Sequence, residues 1–283
     1  MLIDSHCHLN FQAFKDDADQ VIGRSLADGV WMINVGSQLE TSQRAVELAE
    51  KYAEGVYAAI GLHPIHVIGH LMKNKLDPEE LVDQEKIGEF NLDDYKKLAL
   101  SSPKVKAIGE IGLDYYYRPK TKIRLAEFKK LQKEILAAQM ELAEELELPI
   151  IFHCRAAHDD LIEILNTRYK IPDTKVKLRG VIHCFIGNQE RAKQYLDLGL
   201  DIGFTGIIFK LIPGIDWPEI IKAVPLEKIL VETDSPYLGQ SADPRNEPLF
   251  VKRVAEEIAR IKNIGYEEVS EITTSNARQL FLI

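Results

Sequence analysis

Little in this 283-residue chain announces a specialised class of protein, and each shortage excludes something. Only three residues are cysteine. An odd count that low builds no disulfide framework and points to a reducing compartment. No apolar run approaches the roughly 20 residues that a bilayer span requires, because polar residues interrupt every strand-like segment. The chain opens Met1-Leu2-Ile3-Asp4-Ser5-His6, without the basic start and apolar core of a secretory leader, so the cytoplasm is the expected location. Positive charge is short as well: 35 basic against 44 acidic residues give a formal net charge of -9. That balance disfavours tight, non-specific binding to duplex nucleic acid. Two bound divalent ions would, however, add about four positive charges in one cleft. Also lacking are internal repeats, low-complexity segments, flexible linkers, a Gly-rich phosphate loop and any Ser-His-Asp or Cys-His arrangement.

What is present is a core-forming composition, 46% hydrophobic, and a regular rhythm. Short apolar runs alternate with helical patterns from end to end, as βαβ units around a parallel sheet do. Eight runs read as strands: Leu2–Asp4, Val30–Val35, Val56–Ile60, Val105–Gly109, Pro149–His153, Gly180–His183, Asp201–Phe204 and Ile229–Glu232. Helical spacing is clearest in Ala126–Leu146, Asp159–Arg168, Gln189–Leu198 and Pro248–Lys262. The expectation is an α/β fold over residues 1–283, a single-domain (β/α)8 TIM barrel with its site at the C-terminal face. Two charged stretches, about 66–91 and 117–130, break the rhythm and are expected as loops or small helices over that face.

His6 and His8 stand two apart after the first strand, and a period of two puts both on one face. A lone His-X-His is weak, but His153, His183 and Glu110 end the fifth, sixth and fourth strands, and Asp234 lies just past the eighth. Barrel strands converge there, so the six share a cleft. Imidazoles with carboxylates suit Zn, Mn, Fe or Co, and the expected cofactors are divalent ions drawn from Zn, Mn, Mg, Co or Ni. Six donors overfill one tetrahedral ion that must keep a position open for water, so two ions are expected, with Glu110 as the bridge. Asp234 doubles as ligand and proton acceptor. Cys7, Cys154 and Cys184 each follow or separate these ligands, and the same period turns them outward as structural residues.

These motifs resemble the TatD family of metal-dependent hydrolases. They comprise Asp4-Ser5-His6-Cys7-His8-Leu9, Gly61-Leu62-His63-Pro64, Gly109-Glu110-Ile111-Gly112-Leu113-Asp114-Tyr115, His153-Cys154-Arg155, His183-Cys184-Phe185, Glu232-Thr233-Asp234-Ser235-Pro236-Tyr237, Arg245-Asn246-Glu247-Pro248 and Asn276-Ala277-Arg278. The resemblance implies a barrel with two divalent ions and deoxyribonuclease activity from a 3′ end. It implies one ion on His6, His8, Glu110 and Asp234, and a second on Glu110, His153 and His183. Ala156 stands where the family often has a carboxylate, and Ile186 where a small hydroxyl residue is common.

For substrate binding the expected residues are His63, Arg155 and Glu232. His63 would touch a phosphate or orient water. Arg155 shares the face of His153 and would grip phosphate with its planar fork, unless it pairs with a carboxylate such as Asp160 or Glu232. Glu232 would contact substrate or hold a ligand imidazole. Tyr115, Tyr116 and Tyr117 offer stacking for a base or packing under a lid. His66, His70 and His158 are set aside as solvated or capping. The expected function is a deoxyribonuclease taking single-stranded DNA ends as transient substrate, with no membrane and no obligate protein partner. The alternative is a small-molecule amidohydrolase acting on an ester, lactone or amide with the same ions.

Overall fold

All eight expected strands form and pair in parallel, in chain order. They are β1 (Leu2–Cys7), β2 (Val30–Val35), β3 (Val56–Ile60), β4 (Val105–Asp114), β5 (Ile150–Arg155), β6 (Gly180–Ile182), β7 (Asp201–Phe204) and β8 (Ile229–Val231). Around them run α1 (Ala18–Ala27), α2 (Leu39–Glu50), α3 (Leu92–Ser101), α4 (Lys122–Glu145), α5 (His158–Tyr169), α6 (Gln189–Leu196), α7 (Trp217–Ala223), α8 (Val251–Lys262) and α9 (Tyr266–Phe281). The computed structural model describes residues 1–67, 79–80, 90–170, 177–239 and 245–283. The fold is a single (β/α)8 barrel.

The helices form for local reasons. In α8 the buried residues Val251, Val254, Ala255, Ile258, Ala259 and Ile261 recur at three and four positions, which turns one apolar stripe toward the sheet. The Asn188 side chain accepts from Arg191 N at the start of α6, and Asp216 does the same for Glu219 N at the start of α7. Most of the segment 117–130, expected as a loop or small helix, is the first turns of α4, whose 24 residues begin at Lys122. The other stretch, 66–91, lies largely outside the described residues, as does His70.

Two apolar layers result. The larger lies between strands and helices and includes Leu2, Cys7, Ile108, Ile111, Phe152, Cys154 and Ile182. The smaller fills the barrel with Ile3, Ile33, Val35, Ala59, Ala107, Ile151, Val181 and Leu230, and is closed by Ala277, Leu280 and Phe281 of α9. Asn276, one residue before, donates to the carbonyls of Leu226 (2.8 Å) and Ile229 (2.9 Å), tying α9 to β8. The opposite, C-terminal mouth is left for chemistry.

The assignment of faces is decided by two irregularities. Ile3 points into the barrel, so strict alternation would turn His6 outward. The pairing of β1 with β2 shifts between Asp4 and Cys7, and the parity reverses, with Cys7 outward and His6 and His8 inward. In β4 a shift between Ile108 and Ile111 does the same: Ile108, Ile111 and Leu113 lie outward, so Glu110 and Asp114 lie inward. Bulges of this kind re-aim side chains near functional sites.

The α9 plug is testable. Phe281 is 1% exposed, so Phe281→Ala is expected to cost about 3–5 kcal/mol in chemical denaturation; a loss under 1 kcal/mol would mean that the helix does not close the core.

Candidate metal centre

The barrel closes where the site begins. Past the strand ends, Asp234 N donates to His6 O (2.8 Å) and His8 N to Ser235 O (2.8 Å), around an isolated Cys7–Ser235 bridge. Asp4, fully buried, holds the same seam from below, accepting from Thr233 N (2.9 Å), Thr233 Oγ1 (2.5 Å) and His6 N (3.3 Å). Asp234 is thereby set against the His-X-His pair, its Oδ1 at 3.2 Å from His8 Nε2 and 3.8 Å from His6 Nε2.

Glu110 sits at the centre. Its Oε2 is 3.4 Å from His6 Nε2, and its Oε1 is 2.6 Å from His153 Nδ1, 3.6 Å from His63 Nε2 and 4.0 Å from His183 Nε2. The His6 and His183 rings stack with centroids 3.4 Å apart. All six expected ligand residues are therefore brought together. Ligand atoms of His6, His8 and Asp234 lie within 4.8 Å of one another, as do those of His6, Glu110 and His183 and those of His63, Glu110 and His153.

Second partners decide which ring nitrogen offers a lone pair. His8 Nδ1 lies 2.8 Å from Val35 O, His183 Nδ1 2.8 Å from Glu232 Oε2, and His153 Nε2 3.1 Å from Asp114 Oδ2. Each of these nitrogens donates to its oxygen, so on the neutral ring the other nitrogen turns its lone pair into the cluster. His6 Nε2 and His8 Nε2 face each other at 3.1 Å, and His6 Nδ1, though buried, has no hydrogen-bond partner. Crowded lone pairs beside two carboxylates suit a divalent cation. His63 differs: its Nδ1 accepts from Ile65 N (3.1 Å), so a neutral ring carries its proton on Nε2 and presents a donor.

Burial disfavours the charged form of every imidazole here. At His6 burial and the charge of His183 hold the ring at about 4, and at His63 burial and the charge of His153 hold it at about 3. At His153 the carboxylates of Glu110 and Asp114 overcome burial and push the ring up to about 9; Glu232, Asp234 and Glu110 do the same for His183. Glu110 is held well below the carboxylate range, burial being outweighed by His63, His153 and His6.

Several expected roles change. Arg155 does share the inward face with His153, but its Nε (2.8 Å) and Nη2 (2.6 Å) are spent on Asp114 Oδ2, not on Asp160 or Glu232. Glu232, expected to contact substrate or to hold a ligand imidazole, is 0% exposed and takes the second of these places, accepting from His183 Nδ1 and from Cys184 N (3.0 Å). Its space exists because Gly203 of β7 has no side chain: a Cβ there would lie 2.4 Å from Glu232 Oε1. Cys184 is not turned outward like Cys7 and Cys154. Its left-handed backbone, φ 44°, breaks the alternation and brings Sγ among the ligand atoms of His183 and Asp234; burial keeps the thiol neutral. Tyr115 is buried, with its hydroxyl donating to Asp160 Oδ2 (2.8 Å), so it stacks on nothing from outside. His66 is neither solvated nor a cap but buried, 2.5 Å from Glu80 Oε1. His158 starts α5 and lies against Ile186 O and the Tyr195 hydroxyl, away from the ligands.

Asp114 was given no role from sequence, yet it orients His153 and anchors Arg155. The available signal was the period of two, which carries 110, 112 and 114 to one face.

An α/β barrel with carboxylates and imidazoles gathered at its C-terminal mouth defines a class, the metal-dependent hydrolases. Residues 3–282 match the family described as TatD related DNase, and the chain belongs to it. It is 36% identical over 288 residues to the uncharacterized metal-dependent hydrolase YabD of Bacillus subtilis, with 100% of both chains covered. It is 30% identical to the 3'-5' ssDNA/RNA exonuclease TatD of Salmonella typhimurium, over 99% of this chain and 98% of that one. Among solved structures, YJJV, a TatD homolog from Escherichia coli, superposes with a TM-score of 0.79 at 30% identity, covering 100% and 98% of the two chains. A PTE-like lactonase of Deinococcus radiodurans, at 15% identity and a TM-score of 0.63, shares the fold alone.

Two outcomes test the geometry. His153 and His183, both near 9, are protonated at pH 7, and a metal takes only the neutral ring. Loading metal-free protein at pH 7 is expected to release the protons of both rings, with a further share from His8, whose ring is raised, burial being outweighed by Asp234, and affinity is expected to rise up to about pH 9; calorimetry in buffers of different ionisation enthalpy that found no release would exclude these rings as ligands. Separately, Gly203→Ala displaces Glu232 and is expected to weaken metal binding about 10–100-fold with the barrel intact by circular dichroism. Unchanged affinity would mean that Glu232 does not orient His183.

Proposed function

We propose that this chain is a two-metal exonuclease that shortens single-stranded DNA from its 3′ end by phosphodiester hydrolysis. The observation that carries this reading is the donor set itself: lone pairs from four imidazoles converge on one shared carboxylate and on Asp234, more than one ion can use. The relative named 3'-5' ssDNA/RNA exonuclease supports the substrate. His6, His8, Glu110 and Asp234 would hold one ion, and Glu110, His153 and His183 the other, drawn from Zn, Mn, Mg, Co or Ni. When bound, such a pair supplies a water of pKa near roughly 7 and neutralises charge on phosphoryl oxygens.

The protein's own groups divide the remaining work. Asp234, 17% exposed, takes the proton of the attacking water. His63 donates from Nε2 to a phosphate oxygen, because its Nδ1 is already an acceptor. Arg155 keeps Nη1 for phosphate while Asp114 fixes the rest of the guanidinium. Glu232 and Asp114 touch no substrate; they hold the imidazoles of His183 and His153 in the tautomers that leave lone pairs inward. The three cysteines are free, in keeping with a cytoplasmic enzyme.

The test is a 5′-labelled single-stranded oligonucleotide incubated with metal-stripped and reloaded protein. A ladder shortening from the 3′ end is expected, lost on chelation, restored by Mn, Co, Zn or Mg, and abolished by Glu110→Gln together with metal binding. Full turnover after verified metal loss would overturn the metal mechanism. An intact oligonucleotide beside rapid hydrolysis of an ester or lactone panel would favour the small-molecule reading instead.

A further inference from the structure

Charge on this acidic protein is unevenly spread. Residues 116–133 hold seven basic side chains against one acidic, Glu127, a surplus of six; the other 265 residues therefore carry -15. Lys129 and Lys133 are engaged by Asp160, at 3.3 and 3.2 Å, and Lys130 lies 3.6 Å from Glu134. Arg118, Lys120, Lys122 and Arg124 are exposed and have no carboxylate partner among the described residues. Uncompensated cations so close together repel one another, and an anionic partner relieves that repulsion.

The same segment exposes aromatic surface. Tyr116 and Tyr117 are 61% and 56% exposed, with ring centroids 4.9 Å apart and planes at 84°. The Arg155 guanidinium lies over both, 4.8 Å from the first centroid and 5.3 Å from the second. Tyr116 N donates to Asp114 Oδ1 (2.9 Å), and Asp114 holds His153. An unbroken series of contacts thus joins the exposed rings to the metal centre.

We propose that Tyr116, Tyr117 and the free cations Arg118, Lys120, Lys122 and Arg124 form a track for single-stranded nucleic acid leading into the metal centre. This rests on the exonuclease reading and extends it from the scissile bond to the strand behind it. Exposed rings beside cations are the chemistry that holds single strands: unpaired bases stack on the rings irrespective of sequence, and the cations follow the phosphates. A duplex keeps its bases stacked on each other and gains only the phosphate term. Basic residues beside exposed apolar ones also suit an anionic membrane surface, but the link through Arg155 and Asp114 to the metal centre favours a strand that is itself the substrate.

The experiment measures anisotropy of metal-loaded enzyme with labelled phosphorothioate oligothymidylates of 20 and 3 nucleotides. Wild-type protein is expected to bind the longer strand at least ten-fold more tightly, and a duplex of equal length more weakly than the single strand. Tyr116→Ala/Tyr117→Ala and Lys120→Glu/Lys122→Glu/Arg124→Glu should each lose that length preference. The charge variant should also show a salt slope shallower by about 0.7 per phosphate contact removed. Tyr116→Phe/Tyr117→Phe keeps the rings and should keep the preference. All positions are exposed, and melting temperature checks the fold. Equal binding of both lengths by wild type, an unchanged preference in the variants, or variant-sensitive binding to phosphatidylserine vesicles instead of oligonucleotides would overturn the track. Tight, length-dependent binding with no cleavage of an ordinary phosphodiester strand would leave the track standing and sink the exonuclease reading.

Discussion

The carboxylate of Glu110 is the charge around which the molecule is arranged. It is 4% exposed, and an anion taken from water without partners costs several kcal/mol. Relief comes from four histidines on four different segments: His6, His63, His153 and His183. No one or two strands could deliver them. Only a closed barrel brings the ends of β1, β3, β5 and β6 around β4, so the site depends on closure and closure is marked by the site. Asp234, His6 and His8 contribute the backbone groups that seal β8 to β1.

The arrangement continues outward as matched pairs. His183 needs Glu232, Glu232 needs the space left by Gly203, and His153 needs Asp114. Each imidazole near Glu110 would otherwise rotate or change tautomer, and the lone pairs would no longer converge. The His63 ring separates from this set by one hydrogen bond. Its distance to Glu110 Oε1, 3.6 Å, lies within the range of the ligand rings, yet Ile65 N occupies Nδ1 and leaves a donor toward the cleft. Distance alone groups it with Glu110 and His153; hydrogen-bond direction sets it apart as a donor.

Strand positions were legible in the sequence because a parallel barrel makes each strand an apolar run, and the six carboxylate and imidazole donors were legible because barrel strands converge. The inward aim of His6 and Glu110 was legible only by assuming that function required it. Counted from Ile3 or Ala107, both should point outward, and the reversals lie in bulges that no residue type announces. Asp114 was missed because β4 runs five residues beyond the apolar run that marks it, although the period of two from Glu110 reaches it. Cys184 escaped its expected face through a left-handed backbone at a residue with a Cβ. For Glu232 the sequence left substrate contact and support of an imidazole both open, and the glycine across from it, Gly203, leaves room for the second.

Charge placement connects the parts. With the segment 116–133 set apart, the body of the chain carries -15, and a polyanion approaching at random meets repulsion over most of the surface. Two bound divalent ions would offset only about four charges, and within the cleft. In the proposed track the basic segment therefore does more than add affinity: its exposed cations attract a phosphate backbone before it reaches the cleft. Along the proposed track such a field would favour strands arriving end-on at the mouth over duplexes lying across the surface, and it weakens as salt shortens the reach of charge below about 10 Å. An acidic body that carries a cationic track discriminates more sharply than a uniformly basic protein, because wrong approaches are penalised as well as the right one favoured.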